Sequence, residues 1–324
     1  MKIAFFSTKK FEPPYFNEAL QTHSIDYFSE PLDAEHAHLI HKHDVVCIFV
    51  NDTVDQRCVR MLKTKQVKII ALRCSGFNNV DVSACKKAHI KVVHVPKYSP
   101  HAVAEHTVAL LLCLNRKIHK AYNRVKEGNF DISGLQGFEL YKKTIGIIGL
   151  GAIGQVVADI FHGFGCNIIG CDPIRTNQDF IQWHNLASLL KKSDIICIHC
   201  PGNKNNYHLI NATNLQLLQK HALLLNTARG ELLDTKALIA ALKNNQLAGA
   251  ALDVYEAERA LFFQDNSMNI IQDDDLMRLI SLPNVIITSH QGFLTHEALQ
   301  KIAIITNDNL EAINKGRICL NQLS

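Results

Sequence analysis

Residues 144–154 read Thr-Ile-Gly-Ile-Ile-Gly-Leu-Gly-Ala-Ile-Gly, an apolar run that stops at three glycines and then turns helix-compatible. Ile145–Ile148 has the β-branched character of a buried strand. Gly149 permits a tight turn, Gly151 lets a phosphate approach the backbone, and Gly154 lets the following helix pack close to the strand. The first N–H groups of that helix are then aimed at a pyrophosphate. A second apolar run, Cys166–Cys171, ends at Asp172, about 18 residues beyond Gly154, where the ribose-binding acid of such a unit belongs. The stretch therefore predicts a dinucleotide-binding strand–turn–helix–strand. A carboxylate at Asp172 accepts a ribose 2′-OH and repels a 2′-phosphate, which favours NADH, although a cation, Arg175, lies three residues on.

Outward from this unit the alternation of strands and helices continues. Downstream come a helix over Leu186–Lys192, a strand over Asp194–Cys200, a helix over Ala212–Lys220 and a strand over Ala222–Asn226. A helix over Thr235–Asn244, a strand over Ala248–Val254, an irregular stretch Tyr255–Leu282 and a strand over Val285–Ser289 follow. Upstream, strands over Lys2–Phe6, Val45–Val50, Lys68–Leu72 and Lys91–Val95 alternate with helices over Val54–Lys63 and Val80–Ala88. Such alternation predicts an α/β protein of two doubly wound parallel-sheet domains, one flavodoxin-like and one a Rossmann domain. With the glycine motif mid-chain, the last helix, Thr295–Lys315, is expected to return to the first domain. The expected division is residues 1–99 with 298–324 as a discontinuous substrate domain, and residues 100–297 as the dinucleotide domain.

Composition narrows the function. The 324 residues are 47% hydrophobic and 20% charged, with a net charge of +4, which argues for a folded core and against a nucleic-acid surface. Ten cysteines lie scattered, mostly in apolar runs, as buried thiols of a reducing compartment do. Cys197 and Cys200 form a C-x-x-C, but in a strand residues three apart face opposite sides, so neither a shared metal nor a bridge is expected. No apolar run approaches the ~20 residues of a membrane span, and the N-terminal apolar stretch is too short for a signal peptide. The expectation is a cytoplasmic protein without metal, membrane or nucleic-acid partner. A helix from Pro100 onward is apolar on nearly all sides between Ala102 and His119, more than one domain requires, and predicts a homodimer or a dimer-based tetramer.

Ligands of open parallel sheets bind beyond the carboxyl ends of the strands. Three polar residues sit just past such ends: Arg229 in N-T-A-R-G, Glu258 in L-D-V-Y-E-A-E and His290 in T-S-H-Q. A guanidinium holds a carboxylate through two parallel hydrogen bonds and polarises the carbonyl beside it. An imidazole backed by a carboxylate donates a proton as hydride arrives from a nicotinamide. The trio thus suits reduction of a 2-oxo acid. In the other domain, Ser75 and Gly76 follow a strand in R-C-S-G-F-N-N, where free N–H groups can hold a carboxylate or merely form a turn.

G-L-G-A-I-G (149–154), N-T-A-R-G (226–230), L-D-V-Y-E-A-E (252–258) and S-H-Q-G-F-L-T (289–295) together resemble the D-isomer-specific 2-hydroxyacid dehydrogenases. The resemblance runs nearly end to end and is greatest to the bacterial fermentative D-lactate-forming branch, through A-L-R-C-S-G-F-N-N-V-D (71–81), V-P-K-Y-S-P (95–100), A-E-H (104–106) and L-F-F-Q-D-N-S (261–267). It implies NADH-dependent reduction of pyruvate, or of another small 2-oxo acid, by an Arg229, Glu258, His290 triad, and selects Glu258 over Glu256. A non-catalytic NAD sensor on the same scaffold is the reading from another class. By the same resemblance Ser75, Gly76, Tyr98, Arg229 and Phe293 hold the substrate. Gly149, Gly151, Ala152, Ile153, Gly154, Asp172, Cys200, Pro201, Asn206, Thr227, Ala228, Arg229 and Asp253 would line the NAD site, with Asp253 toward the nicotinamide carboxamide. Ser75 and Gly292 stand where alanine is common in the family, and Glu231 where a small residue or proline is usual.

Overall fold

A computed structural model describes residues 1–324, the side chain of Ala260 excepted. The chain divides into two compact units, Met1–Ser99 with Leu294–Ser324, and Pro100–Phe293.

The first unit is built from β1 (Lys2–Phe5), α1 (Pro13–Ala19), β2 (Ser24–Tyr27), β3 (Val45–Ile48), α2 (Gln56–Thr64), β4 (Ile69–Leu72), α3 (Val82–Ala88) and β5 (Lys91–Val93). Its sheet has the order β2-β1-β3-β4-β5, parallel throughout, which is the flavodoxin-like winding. Every residue of β3 and β4 is buried, as strands covered by helices on both faces must be. β2 escapes the sequence reading, which has only a polar segment there. It is an edge strand, Ser-Ile-Asp-Tyr, in which no residue is buried.

Just past the ends of β1, β3 and β4 lies a buried ionic cluster. Arg73 is 1% and Glu12 4% exposed, with Arg73 Nε 2.6 Å from Glu12 Oε1. Arg73 Nη2 donates to the carbonyls of Phe6 and Ser7 at 2.9 and 3.0 Å, and the guanidinium lies over the rings of Phe5 and Phe49. Burial alone would weaken the charge on Arg73, but Glu12 beside it holds the guanidinium above its ordinary pKa. Asp52, wholly buried, accepts from Ser7 Oγ at 2.7 Å and from the Leu32 N–H at 2.6 Å.

The second unit contains α4 (Pro100–Arg116), α5 (Ile118–Lys126), β6 (Thr144–Ile148), α6 (Ala152–Gly163), β7 (Asn167–Cys171), β8 (Ile181–Trp183) and α7 (Leu186–Lys192). It continues with β9 (Ile195–Ile198), α8 (Ala212–Leu215), β10 (Leu223–Asn226), α9 (Thr235–Lys243), β11 (Gly249–Leu252), α10 (Asp274–Ser281) and β12 (Val285–Ile287). Among the described residues its sheet is parallel, in the order β8-β7-β6-β9-β10-β11-β12. That is the Rossmann order with one further strand, and its switch point lies between β6 and β9. The last helix, α11 (His296–Asn314), packs on α1 and β4 of the first unit. Beyond it the chain pairs antiparallel with β5, through Gln322 opposite Val93 and a 2.8 Å hydrogen bond from the Leu323 N–H to the Val92 carbonyl.

Further elements differ from expectation, among them α1 and β8, for which the sequence reading has neither a helix nor a strand. The apolar helix beginning at Pro100 breaks at Lys117, whose φ of 50° starts α5 afresh. Asp274–Ser281 is helical inside the stretch read as irregular, capped by Asp273, whose carboxylate accepts from the Leu276 N–H at 2.9 Å. The helix expected over Ala212–Lys220 ends at Leu215.

The apolar surface of α4 is used within its own unit. Ala104, Val108, Leu110, Leu111 and Leu114 join Ile145, Val157, Phe161 and Leu225 in one core. The stripe left outside belongs to α5, where Ile118, Tyr122 and Val125 are 54%, 61% and 52% exposed at the spacing of a single helix face. No described helix is long and apolar enough to cross a membrane.

Candidate active site

The glycine turn joins β6 to α6 at the switch point. Gly149 has φ +92°, and a Cβ there would lie 2.5 Å from the Cys200 nitrogen. A Cβ on Gly154 would lie 2.0 Å from the Gly149 carbonyl oxygen. At Gly151 a Cβ would meet nothing within 4 Å. Two glycines are thus required by the fold, while the middle one keeps space open. Side-chain oxygens cap α2, α3, α7, α9, α10 and α11, but none caps α6. Its first N–H groups, with the partial positive charge of the helix end, are left for an external anion. Asp172 accepts from the Leu150 N–H at 2.7 Å through Oδ2 and from the Ile174 N–H at 2.8 Å through Oδ1. Each oxygen keeps a further lone pair for a sugar hydroxyl. An open cradle, an uncapped helix end and an anchored acid fit a dinucleotide.

The loop after β9 borders this turn. Asn206 Nδ2 donates to the Pro201 carbonyl at 2.5 Å and lies 4.0 Å from Cys200 Sγ, so the loop is closed on itself. Glu231 lies beneath it, with Oε1 2.1 Å from where a Cβ on Gly202 would be. Cys197 and Cys200 pack into different cores, on opposite faces of the sheet. Burial pushes the Cys200 thiol up to about 11, which keeps it protonated at neutral pH.

Arg229, Glu258 and His290 follow β10, β11 and β12, three neighbouring strands of one sheet, at their carboxyl ends. His290 Nδ1 lies 2.7 Å from Glu258 Oε1. Because an ionised carboxylate only accepts, Nδ1 carries the hydrogen and Nε2 is the nitrogen left to act. The Tyr255 N–H donates to Glu258 Oε2 at 2.9 Å, and the Tyr255 hydroxyl donates to Asp273, the cap of α10, at 2.8 Å. Glu256 lies elsewhere, against His208 Nε2 at 2.6 Å and the Tyr207 hydroxyl at 2.9 Å.

His290 has φ +54°, an uncommon backbone state for such a residue, and Asp253 holds it there. The His290 N–H donates to the Asp253 carbonyl at 2.7 Å, while the Gln291 and Gly292 N–H groups donate to its carboxylate at 2.9 and 2.8 Å. Thr288 Oγ1 and His106 Nε2 complete the set at 2.5 and 3.2 Å. Burial would raise the pKa of Asp253, but the bonds from His106 and Thr288 outweigh it and hold the carboxyl below the usual range. Sequence reading assigns no part to His106, Thr288 or Tyr255. Only the A-E-H stretch at 104–106 hints at the first.

Around Arg229 the N-T-A-R-G turn is braced. Asn226 Nδ2 donates to the Arg229 carbonyl at 2.9 Å, and Arg229 Nη1 donates to the Ala228 carbonyl at 2.6 Å. The Thr227 and Thr107 hydroxyls are 2.8 Å apart. No carboxylate lies within ion-pair distance of Arg229 among the described residues, so its charge is available to a ligand. Phe293, 8% exposed, has its ring centroid 6.5 Å from that of Phe263.

In the first unit, Ser75 and Gly76 lie in the loop that leaves β4. His94 Nδ1 donates to the Ser75 carbonyl at 2.9 Å, and Asn79 Nδ2 ties the loop to the Phe49 and Asp52 carbonyls at 2.9 and 3.0 Å. The backbone N–H groups of Ser75 and Gly76 donate to no acceptor among the described residues. Tyr98 is half-buried in the turn after β5.

Residues 108–292 match the family model of the D-isomer specific 2-hydroxyacid dehydrogenase NAD binding domain. The chain is 46% identical to 2-hydroxyacid dehydrogenase A of Aspergillus oryzae, over 100% of this chain and 95% of that one. It is 42% identical to D-lactate dehydrogenase of Escherichia coli over the full length of both. Among solved structures, the pyruvate reductase of Chlamydomonas reinhardtii superposes with a TM-score of 0.94 at 38% identity, over 99% of this chain and 98% of that one.

Proposed function

Because the chain belongs to the D-isomer-specific 2-hydroxyacid dehydrogenases, an NAD-dependent oxidoreductase family, we propose that it reduces pyruvate reversibly to D-lactate with NADH. The observation that carries this reading is the Glu258–His290 pair at 2.7 Å, on strand ends adjacent to that of Arg229, which has no counter-ion among the described residues. The names of the Escherichia coli and Chlamydomonas relatives support pyruvate as the oxo acid.

In this mechanism NADH, when bound, supplies the hydride that reaches the carbonyl carbon. Arg229 holds the substrate carboxylate and draws electron density from the adjacent carbonyl. His290 delivers the Nε2 proton to the carbonyl oxygen, and in the reverse direction takes it back. Glu258 stabilises the imidazolium and fixes its orientation. Ser75 and Gly76, in the other unit, offer two backbone donors suited to a carboxylate. The open space at Gly151, the first N–H groups of α6 at Ala152 and Ile153, and Asp172 would hold the cofactor.

Consumption of NADH with a panel of 2-oxo acids tests the proposal, with NADPH as a second cofactor and chiral analysis of the product. Pyruvate is expected to show the highest kcat/KM, NADH to be preferred over NADPH by at least about tenfold (~1.4 kcal/mol), and the product to be D-lactate. A higher value for hydroxypyruvate, glyoxylate or 2-oxobutyrate would replace the substrate, and turnover of none would leave a non-catalytic NAD-binding protein. We place the reaction in the cytoplasm, where ten free thiols stay reduced.

We also propose a homodimer, or a tetramer built from it, joined through the exposed Ile118, Tyr122, Val125 stripe of α5. Sedimentation is expected to give at least twice the 36.3 kDa of one chain, and Tyr122→Asp to lower that mass. An unchanged mass in that variant would place the contact elsewhere.

A further inference from the structure

Phe262 and Phe263 are consecutive and pack on the same core, but Phe263 lies at its edge and also reaches the His290 ring. Phe262 is 6% exposed and packs in the core of the second unit near Tyr255, ring centroids 6.5 Å apart. Phe263 is only half-buried, and its ring lies 6.0 Å from the His290 imidazole and 6.5 Å from Phe293. Its backbone has φ +64°. A bulky residue holds that left-handed state only when its surroundings impose it, and such outliers gather at functional sites. The same segment is tied at both ends. The Phe262 N–H donates to the Glu258 carbonyl at 2.8 Å, and the Tyr255 hydroxyl binds Asp273 at 2.8 Å. A turn anchored on the residue that orients His290 thus presents an aromatic ring to the imidazole itself.

We propose that Phe263 is a specificity-determining residue, which with Phe293 forms an aromatic wall beside His290 and limits the substrate side chain at C3 to about the size of a methyl group. The inference rests on the reading of His290 as the acid of a 2-oxo acid reductase. Two rigid rings fix the width of an apolar pocket, so that each added methylene must displace one of them rather than water. A pocket of this kind discriminates by about 10–200-fold per methylene. A packing residue without a part in selectivity would need neither contact with the imidazole nor a strained backbone.

The test compares kcat/KM for 2-oxobutyrate and 2-oxovalerate with that for pyruvate in the wild type, Phe263→Ala and Phe263→Leu. Phe263→Ala is expected to raise the ratio of longer substrate to pyruvate by roughly 10–100-fold. Phe263→Leu, which keeps most of the volume and so guards against a folding failure, should shift it in the same direction by a smaller factor. NADH binding, followed by fluorescence, shows that each variant retains a folded second unit. Ratios within twofold of wild type in Phe263→Leu, even with a lowered kcat, would overturn the assignment. If the wild type itself reduces no 2-oxo acid, the reading of the site fails instead, which keeps the two failures apart.

Discussion

Replacing His290 with alanine lowers kcat for 2-oxo acid reduction by about 10²–10⁴, the range that a lost general acid produces, and leaves NADH affinity within a few-fold of wild type. The reasoning is local. Glu258, 2.7 Å from Nδ1, is itself held by the Tyr255 N–H at 2.9 Å, so the imidazole is presented with Nε2 as its only transferable position. No other described residue holds an imidazole on Glu258. His106 is hydrogen-bonded to Asp253, and His208 to Glu256. Backbone strain complicates the alanine variant, because alanine tolerates a φ of +54° less well than histidine does. His290→Asn controls for this, since asparagine tolerates the left-handed region but cannot protonate an alkoxide. Both variants should lose kcat alike while binding NADH. A kcat within tenfold of wild type in His290→Asn would remove His290 from the chemistry.

The second large effect concerns stability. Glu12→Ala leaves the guanidinium of Arg73, 1% exposed, without its carboxylate, and a buried charge stripped of its partner costs about 3–5 kcal/mol. Replacing both, as Glu12→Leu with Arg73→Met, removes two desolvation penalties along with the attraction, but it leaves the buried Asp52 carboxylate without the guanidinium that favours its charge, so only part of the loss should be recovered. Urea unfolding resolves the three proteins, provided the transitions of the two units are fitted separately. A single-variant loss below about 1 kcal/mol would mean that water reaches the pair. Because Arg73 stands two residues before Ser75, Glu12→Ala should also raise KM for the oxo acid more than it changes kcat.

What was legible in the sequence follows from what parallel sheets demand. Their inner strands are continuous apolar runs, so β3, β4, β9, β10 and β11 declare themselves, as does the glycine turn after β6. Edge strands make no such demand. In β2 and β8 only Ile181 is buried, and neither carries a run long enough to read. The break at Lys117 has no glycine or proline to mark it, and α10 begins in an acidic stretch that resembles a loop until Asp273 is seen to cap it. The strand-end positions of Arg229 and His290 could be read from topology, whereas Glu258 was separated from Glu256 only by the family resemblance. The network that supports them could not be read. Asp253 and His106 are 147 residues apart and Arg73 and Glu12 are 61 apart, and such pairings exist only after the chain has folded.

The discontinuity of the first unit bears on synthesis. Pro100–Phe293 is complete as soon as it has left the ribosome, whereas Met1–Ser99 must wait for α11 and for the residues that pair with β5. Until then the nascent chain carries β5 as a bare edge and lacks the helix that covers α1 and β4, the kind of exposed template that recruits other chains. The segment translated first therefore belongs to the unit that is completed last.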